Sequence, residues 1–437
     1  MIKQYFKQAW HLITQNKLFS AIYIAGTALG ISMVMVMAIL NYVKTSNIYP
    51  ETNRDRMLYA RTVVMTATDT VRFAYPSSGS LSYKAVKEWF MPLEIPEAVS
   101  FMTNAKGFAS LPKDEHLFSI TSKYVDRNYW KVFSFNFVSG EPFSDADYAS
   151  ELRAAVISES IAKKLFGSID VVGKEFEYDF NLYRIRGVVK DVSYIMVDTY
   201  AQVWMPFTSK KDYDKVWNER GGMLSGITKV FILARHKSDF ESIRNEVNRN
   251  IQRYNMQATD WKADLLGQPD TRKVHIHRYW SNIRPNMKSI WIKNLLIISL
   301  LLLVPAINLS GMNSTRMERR LGEMGVRKAF GASRNKLIHQ VLTENLLLTG
   351  LGGLVGLLLS YLIIFISREW ILDLGQQFVD PLPMETSVNL SFSMLFNIKI
   401  FFIVLLTCFV MNFLSALIPV YQSLRKNITD SLYIKYN

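Results

Sequence analysis

Four apolar stretches, Leu18–Val43, Ile290–Gly311, Leu342–Ile366 and Ile398–Val420, each reach the length of a membrane-crossing helix. A hydrocarbon core of about 30 Å needs about 20 helical residues, so each can cross with some tilt. The first stretch is too long for a signal peptide and has no small-residue cleavage site, so it reads as an uncleaved span. The chain is 49% apolar yet 20% charged, so only part of it can lie in lipid. These runs predict a membrane protein of four helices. A large α+β domain is inserted between helices one and two.

Lys and Arg placement orients the spans. The N-terminal tail carries Lys3, Lys7 and Lys17 and no acid, and the tail beyond the fourth span carries Arg425, Lys426 and Lys435 against Asp430. The segment 367–397 has Arg368 against Glu369, Asp373, Asp380 and Glu385. Short basic segments stay on the cytoplasmic side, so both termini are expected inside, with the membrane taken as the cell's inner (cytoplasmic) membrane. The expected organisation runs as follows. Residues 1–17 form a cytoplasmic amphipathic helix and 18–43 the first span. Residues 44–287 form the outside domain, expected as two subdomains. Residues 288–312 form the second span with a stalk, 313–341 a cytoplasmic coupling loop and 342–366 the third span. A short outside loop at 367–397, the fourth span at 398–420 and a cytoplasmic tail at 421–437 complete the chain. In the first of these, Ile2, Tyr5, Phe6, Ala9, Trp10 and Ile13 share a helical face that suits the lipid surface.

The inserted segment mixes strand and helix signals. Leu58–Phe73 alternates and reads as strands, and Ser80–Phe90 reads as a helix ending before Pro92. Ala154–Ile157 reads as a buried strand. Ser158 then caps a helix over Glu159–Phe166, with Gly167 as its stop. Glu175–Tyr178 and Tyr183–Val192 read as paired strands, and Lys229–Ala234 as another. Ser238-Asp-Phe-Glu241 is read as a capping box opening a helix to Tyr254, and Lys273–Trp280 as a further alternating strand. The polar Asn286–Lys293 and Val43–Ser46 can extend the first two spans outward as a helical stalk.

Within the membrane, Pro305 is expected to kink the second span, and Asn308 to pair with another helix. In the third span Gly352 and Gly356 form a GxxxG pair, which lets two helix backbones approach closely; the partner helix is left open. The lone Cys408 permits no intramolecular disulfide and reads as a packing residue. The chain carries a net charge of +14, but a domain facing outward does not meet nucleic acid, so no nucleic-acid partner is inferred.

Catalytic motifs are missing. Gly167-Ser-Ile-Asp-Val-Val-Gly-Lys174 has one residue too many for a phosphate loop, and Glu175 stands where a Ser or Thr would bind Mg²⁺. His275 and His277 can share a strand face, but no carboxylate or Cys pattern supports a metal there, and surface histidines are the expectation. There is no GxSxG or HExxH. The reading is therefore a non-catalytic subunit without cofactor or metal, with any ATP hydrolysis on a separate chain.

The segment Thr315–Arg334 is the chief candidate site. It holds Arg316, Arg319, Arg320, Arg327, Lys328 and Arg334, while Gly322, Gly325 and Gly331 interrupt it into short helices. Glu323-Met-Gly-Val-Arg-Lys-Ala-Phe-Gly-Ala-Ser-Arg334, with Gln340, Glu344 and a Gly-rich span after it, closely resembles the signature of the FtsX-like permease family, which includes MacB-type exporters and LolC/LolE lipoprotein-releasing subunits. Asn16-Lys-Leu-Phe-Ser20, Val132-Phe-Ser-Phe135, Gly140-Glu-Pro-Phe143, Val156-Ile-Ser-Glu-Ser160 and Gly187-Val-Val-Lys-Asp191 extend the likeness along the MacB-like domain. Pro419–Leu432 extends it to the closing segment. The chain departs from MacB in lacking a fused ATPase, and in Val304-Pro-Ala where MacB-like sequences are Gly-rich.

The resemblance implies a dimer of permeases, homomeric or with a related subunit, each served by an ABC ATPase. Arg319, Arg320, Glu323, Gly325, Arg327, Lys328 and Gly331 would then lie in or beside the ATPase contact. It further implies mechanotransmission for efflux, and as further partners a membrane-fusion protein and an outer-membrane channel. Lipoprotein release or a sensor role are the alternatives it leaves open.

Overall fold

The computed structural model describes residues 10, 14–15, 17–69, 75–210, 224–278, 283–319, 326, 334–367 and 397–425. The chain divides into two units, one containing the long helices and the other running from Val43 to Asn286.

The long helices are α1 (Lys17–Thr45), whose last three residues fall in the second unit, and, in the first unit, α8 (Met287–Arg319), α9 (Arg334–Ile366) and α10 (Ile398–Arg425). Among the described residues, Ser20–Thr45 and Leu342–Ile366 are long and apolar enough to cross a membrane, and Ile398–Leu414 is a shorter apolar run. Helix α8 continues through Pro305. Helix α10 packs against both α8 and α9. Leu29, Leu358, Leu362, Phe402 and Ile403 remain exposed, as suits side chains meeting lipid instead of a protein core. The expected N-terminal amphipathic helix lies largely outside the described residues, and the side chain of Asn308 is not among those described.

The second unit is built on one hydrogen-bonded set of strands. They are β1 (Met57–Ala60), β2 (Thr62–Ala67), β3 (Ser77–Leu81), β4 (Ala98–Ser110), β5 (Phe118–Val125), β6 (Phe137–Gly140) and β7 (Ala154–Ser158), then β8 (Glu175–Tyr178), β9 (Asn181–Val189), β10 (Val203–Pro206), β11 (Ser225–Gly226), β12 (Thr228–Leu233), β13 (Trp261–Asp264) and β14 (Asp270–Thr271). The main order is β13-β2-β3-β12-β4-β5-β10-β7-β9-β6. The β5/β10 and β7/β9 pairs are parallel, and the other named pairs antiparallel. Helices lie between strands: α2 (Tyr83–Trp89), α3 (Tyr129–Val132), α4 (Asp145–Ala149), α5 (Glu159–Phe166), α6 (Phe240–Gln257) and α7 (Arg272–His275). This is an α+β domain. Its core gathers Trp89, Phe90, Phe101, Ile120, Phe176, Ile185, Val230 and Ile232.

Local chemistry accounts for much of it. All five residues of β7 are buried, which its continuous apolar sequence requires. The Ser158 hydroxyl accepts from the Ile161 amide to open α5. Gly167 closes that helix at φ +69°, a left-handed conformation open to glycine. Ile161, Ala162 and Leu165 fall on the buried face between those ends.

Three expectations need correction. The helix expected over Ser80–Phe90 begins only at Tyr83, because Ser80 and Leu81 are consumed in pairing with Thr62 and Ser225; Ser82 then caps through the Ala85 amide at 3.1 Å. The capping box expected at Ser238–Glu241 sits two residues earlier, at His236–Asp239, where the His236 amide donates to Asp239 at 2.9 Å. The strand expected over Lys273–Trp280 does not form over its described residues, 273–278. Strand β14 ends at Thr271 and the chain turns into α7, which puts Arg272 and His275 on one buried side at helical spacing.

The two ends of the inserted domain meet. Strand β1, near its start, pairs antiparallel with β14, near its end, with Leu58 opposite Thr271 and Tyr59 opposite Asp270.

Candidate functional site

Just beyond β1 and β14 lies a cluster of buried charges. Glu51 and Arg54 come from the turn after α1, Asp198 from the loop before β10, and Arg272 from the first turn of α7. Arg54 Nε donates to Glu51 Oε2 at 2.7 Å, with both side chains fully buried. Thr199 Oγ1 donates to Glu51 Oε1 at 3.0 Å. Arg272 Nη1 donates to Asp198 Oδ2 at 2.8 Å and stands 3.6 Å from Glu51. Lys229 Nζ lies 3.4 Å from the other Asp198 oxygen. The Tyr59 ring is stacked on His275 at 4.6 Å and carries the Arg272 guanidinium over its face at 5.4 Å.

These groups end on backbone. Arg54 Nη1 donates to the carbonyls of Val43, at 2.6 Å, and Ser46, at 2.9 Å. Arg272 Nε donates to the Lys44 carbonyl at 2.8 Å. Val43 and Lys44 form the last turn of α1, where carbonyls have no partner within the helix. All these atoms belong to the unit that begins at Val43.

The field is consistent with the geometry. Burial alone would raise the Asp198 carboxyl, but Lys229, His275, Arg272 and Lys123 outweigh it and hold Asp198 well below the ordinary carboxylate range. Burial drives His275 well below its ordinary value, against the pull of Asp198, so the imidazole is neutral at pH 7. His275 is therefore a buried ring in a helical turn, and not the surface strand histidine that was expected. Lys123 is pushed down to about 7, first by burial and then by Lys229. It donates to Asn104 Oδ1 at 2.6 Å and to the Val197 carbonyl at 3.1 Å. A second ion pair fixes the chain after α7, where Arg278 grips Asp270 through two bonds of 2.5 and 3.0 Å. No residue of these clusters was singled out for a role from sequence except His275. The available signal was position, since Arg54 and Arg272 flank the two ends of the insertion.

Of the residues singled out in the basic segment, Arg319 ends α8, while Arg320, Glu323, Gly325, Arg327, Lys328 and Gly331 lie outside the described residues. Gly352 and Gly356 face α1 of the same chain. A Cβ on Gly352 would stand 2.8 Å from the Thr27 Cβ, and one on Gly356 2.8 Å from the Ala28 carbonyl and 3.0 Å from the Ile31 Cβ. A Cβ on Gly353 would overlap Leu405 of α10, whereas around Gly350 nothing lies within 4 Å. Asn412 of α10 donates to Thr349 of α9 at 3.2 Å, a polar contact between two apolar helices.

An α+β domain inserted after the first of a set of long helices is thus the frame of the molecule. Residues 20–250 match the profile of the MacB-like periplasmic core domain, and residues 295–428 that of the FtsX-like permease C-terminal region. The chain belongs to the MacB/FtsX-like family of ABC transporter permeases. It is 26% identical over 243 residues to the uncharacterized ABC transporter permease YknZ of Bacillus subtilis, covering 54% of this chain and 55% of that one. It is 22% identical over 372 residues to the macrolide export ATP-binding/permease protein MacB of Campylobacter jejuni, covering 82% of this chain and 53% of that protein. The chain thus spans about half the length of these relatives. The crystal structure of the periplasmic region of MacB from Actinobacillus actinomycetemcomitans aligns over 53% of this chain and 95% of that one, at 15% identity and a TM-score of 0.34.

Proposed function

We propose that this protein is the membrane subunit of a MacB-type efflux complex, a non-catalytic permease that carries motion from a separate cytoplasmic ATPase to its inserted domain. The observation that carries this reading is the order of parts: a long helix, a MacB-like core domain whose two ends pair through β1 and β14, then an FtsX-like helical region. In this reading four helices span the inner membrane, both termini are cytoplasmic and the inserted domain is periplasmic. Arg319, Arg320, Glu323, Gly325, Arg327, Lys328 and Gly331 receive the ATPase. Gly352 and Gly356 seat α9 on α1. Two permease subunits pair, and the inserted domain works with a membrane-fusion protein and an outer-membrane channel. Export appears in the names of two relatives, the macrolide exporter MacB and the pyoverdine export protein PvdT of Pseudomonas savastanoi.

Co-purification tests the docking. With Arg327 and Lys328 replaced by Glu, a cognate ABC ATPase should no longer co-purify, and unchanged binding with unchanged ATPase stimulation would refute the reading. An export-dependent reporter fused near residue 150 should be active; activity of a cytoplasmic reporter there would overturn the topology.

A further inference from the structure

We infer that the seam of α9 with α1 and α10 is wet along one half: Asn345 and Thr27 mark the two ends of a buried polar track that binds ordered water inside the helical unit. The inference goes beyond the efflux reading and shares with it only the assignment of these helices to the membrane.

The seam has a register. Tyr23 packs with Leu348, Thr27 lies against Gly352 and Ile31 against Gly356, so each partner stands 325 positions further on and the two helices run parallel. Leu348, Gly352 and Gly356 recur at helical spacing and form the stripe of α9 that meets α1. Asn345, Thr349 and Gly353 form the stripe beside it, which meets α10 through Asn412 and Leu405. At Gly353 and Gly356 the neighbours are Leu405, Ile31 and Ala28, at close approach. Toward the start of α9 the seam turns polar, with Glu344, Asn345, Thr349, Thr27 and Asn412 all buried.

Two of these groups are left without a protein partner. The Asn345 side chain is 4% exposed, and among the described residues neither its Oδ1 nor its Nδ2 makes a hydrogen bond. The Thr27 hydroxyl, on a residue 2% exposed, makes none either. Other hydroxyls on the long helices bond a carbonyl one turn back: Ser32 to Leu29 at 2.9 Å, Ser360 to Leu357 at 2.7 Å and Thr407 to Ile403 at 2.8 Å. Thr27 instead sets its Cβ and methyl against Gly352 and leaves that local bond unmade. Hydrocarbon supplies no substitute, and a bare amide there is costly.

The chemistry of the gap selects what fills it. Asn345 needs a donor for Oδ1 and an acceptor for Nδ2. A metal cation would meet only the oxygen and an anion only the nitrogen, whereas water meets both. Buried water typically bonds such otherwise unpaired groups. Thr27 stands level with Gly352, about 10 Å along the helix from Asn345, and the Asn412–Thr349 bond lies between them. Glu344 is buried at the same end, and an ionisable side chain within a span ordinarily faces a protein or hydrated interior.

The test uses the full-length protein in deuterated lipid bilayers and water-edited solid-state NMR, in which magnetisation starts on water and is detected on the protein. The dipeptide Glu-Asn occurs only at 344–345, so carbonyl-labelled glutamate with uniformly labelled asparagine singles out Asn345 without any substitution. The hydrated track predicts that the Asn345 side-chain amide builds up as fast as those of exposed asparagines such as Asn136. A build-up several-fold slower, at the rate of a dry interior, overturns the inference. If that signal is not resolved, Thr27→Val decides by thermal unfolding in the same lipid. It exchanges the hydroxyl for a methyl of the same shape. Loss of a bound water should lower Tm by several degrees, and an unchanged or raised Tm overturns the inference. Release of the chain from native membranes by alkaline carbonate would refute the membrane assignment itself, so that failure is distinguishable from a dry track.

Discussion

Replacing Gly356 by Ala should separate α9 from α1, and the structure sets the scale. The added methyl would stand 2.8 Å from the Ala28 carbonyl and 3.0 Å from the Ile31 Cβ. Favourable carbon contacts lie at about 3.5–4.0 Å, so the helices must part by roughly 0.5–1 Å. A gap of that size forfeits about a quarter to a half of each contact's dispersion energy along the seam. The nearest atom is a backbone carbonyl, which cannot rotate aside as a side chain would. Overpacking of this kind costs about 1–3 kcal/mol. Gly350, six residues earlier on the same helix, has nothing within 4 Å of an added Cβ. There the same change gains about 0.5–1 kcal/mol from backbone entropy. Thermal unfolding of the purified protein in one detergent should therefore place Gly356→Ala and Gly352→Ala below the parent and Gly350→Ala at or above it. Equal destabilisation at all three positions would show that the α1–α9 seam does not depend on close approach.

Further outcomes follow from the buried charges and caps. Asp198→Asn leaves Arg272 and Lys229 facing a neutral side chain, and should cost about 3–5 kcal/mol in urea unfolding followed by tryptophan fluorescence. Lys123, held down to about 7 in the fold, binds a proton in the unfolded chain that it does not bind when folded between pH 7 and its ordinary range near 10.5. Its contribution should therefore make stability rise with pH across that window, by at most about 1.4 kcal/mol per pH unit, and Lys123→Met should flatten the rise. His275 acts in the same direction at lower pH. Its folded pKa is depressed, so stability should fall as pH drops below 6.5, where the unfolded imidazole takes up a proton that the buried one refuses. Ser82→Ala removes the cap of α2 and should cost about 1 kcal/mol in the same titration.

Elements set by neighbouring residues were readable in the chain. The β7–Ser158–α5–Gly167 run follows from an apolar strand, a hydroxyl cap, an amphipathic turn and a left-handed stop, all within a few residues. Where strand pairing competed with helix signals, at Ser80–Leu81, the pairing won. Where alternation extended past the last ladder partner, over the described residues 273–278, the expected strand was lost. The functional reading divides the same way. The basic segment around Arg327 and Lys328 and the Gly352/Gly356 pair are visible as local motifs.

By itself, then, the amino-acid sequence determined the apolar helices, the capped elements, the inserted domain and the family motif, because each depends on side chains close together in the chain. Tertiary structure alone decided that Gly352 and Gly356 meet Thr27 and Ala28 of the same chain. It alone brought Glu51, Arg54, Asp198 and Arg272 together around the end of α1. No local pattern marks an arginine as the partner of a carbonyl more than two hundred residues away. Only the closure of β1 on β14 brings the two ends of the insertion within hydrogen-bond reach, and there burial makes those few charged contacts decisive.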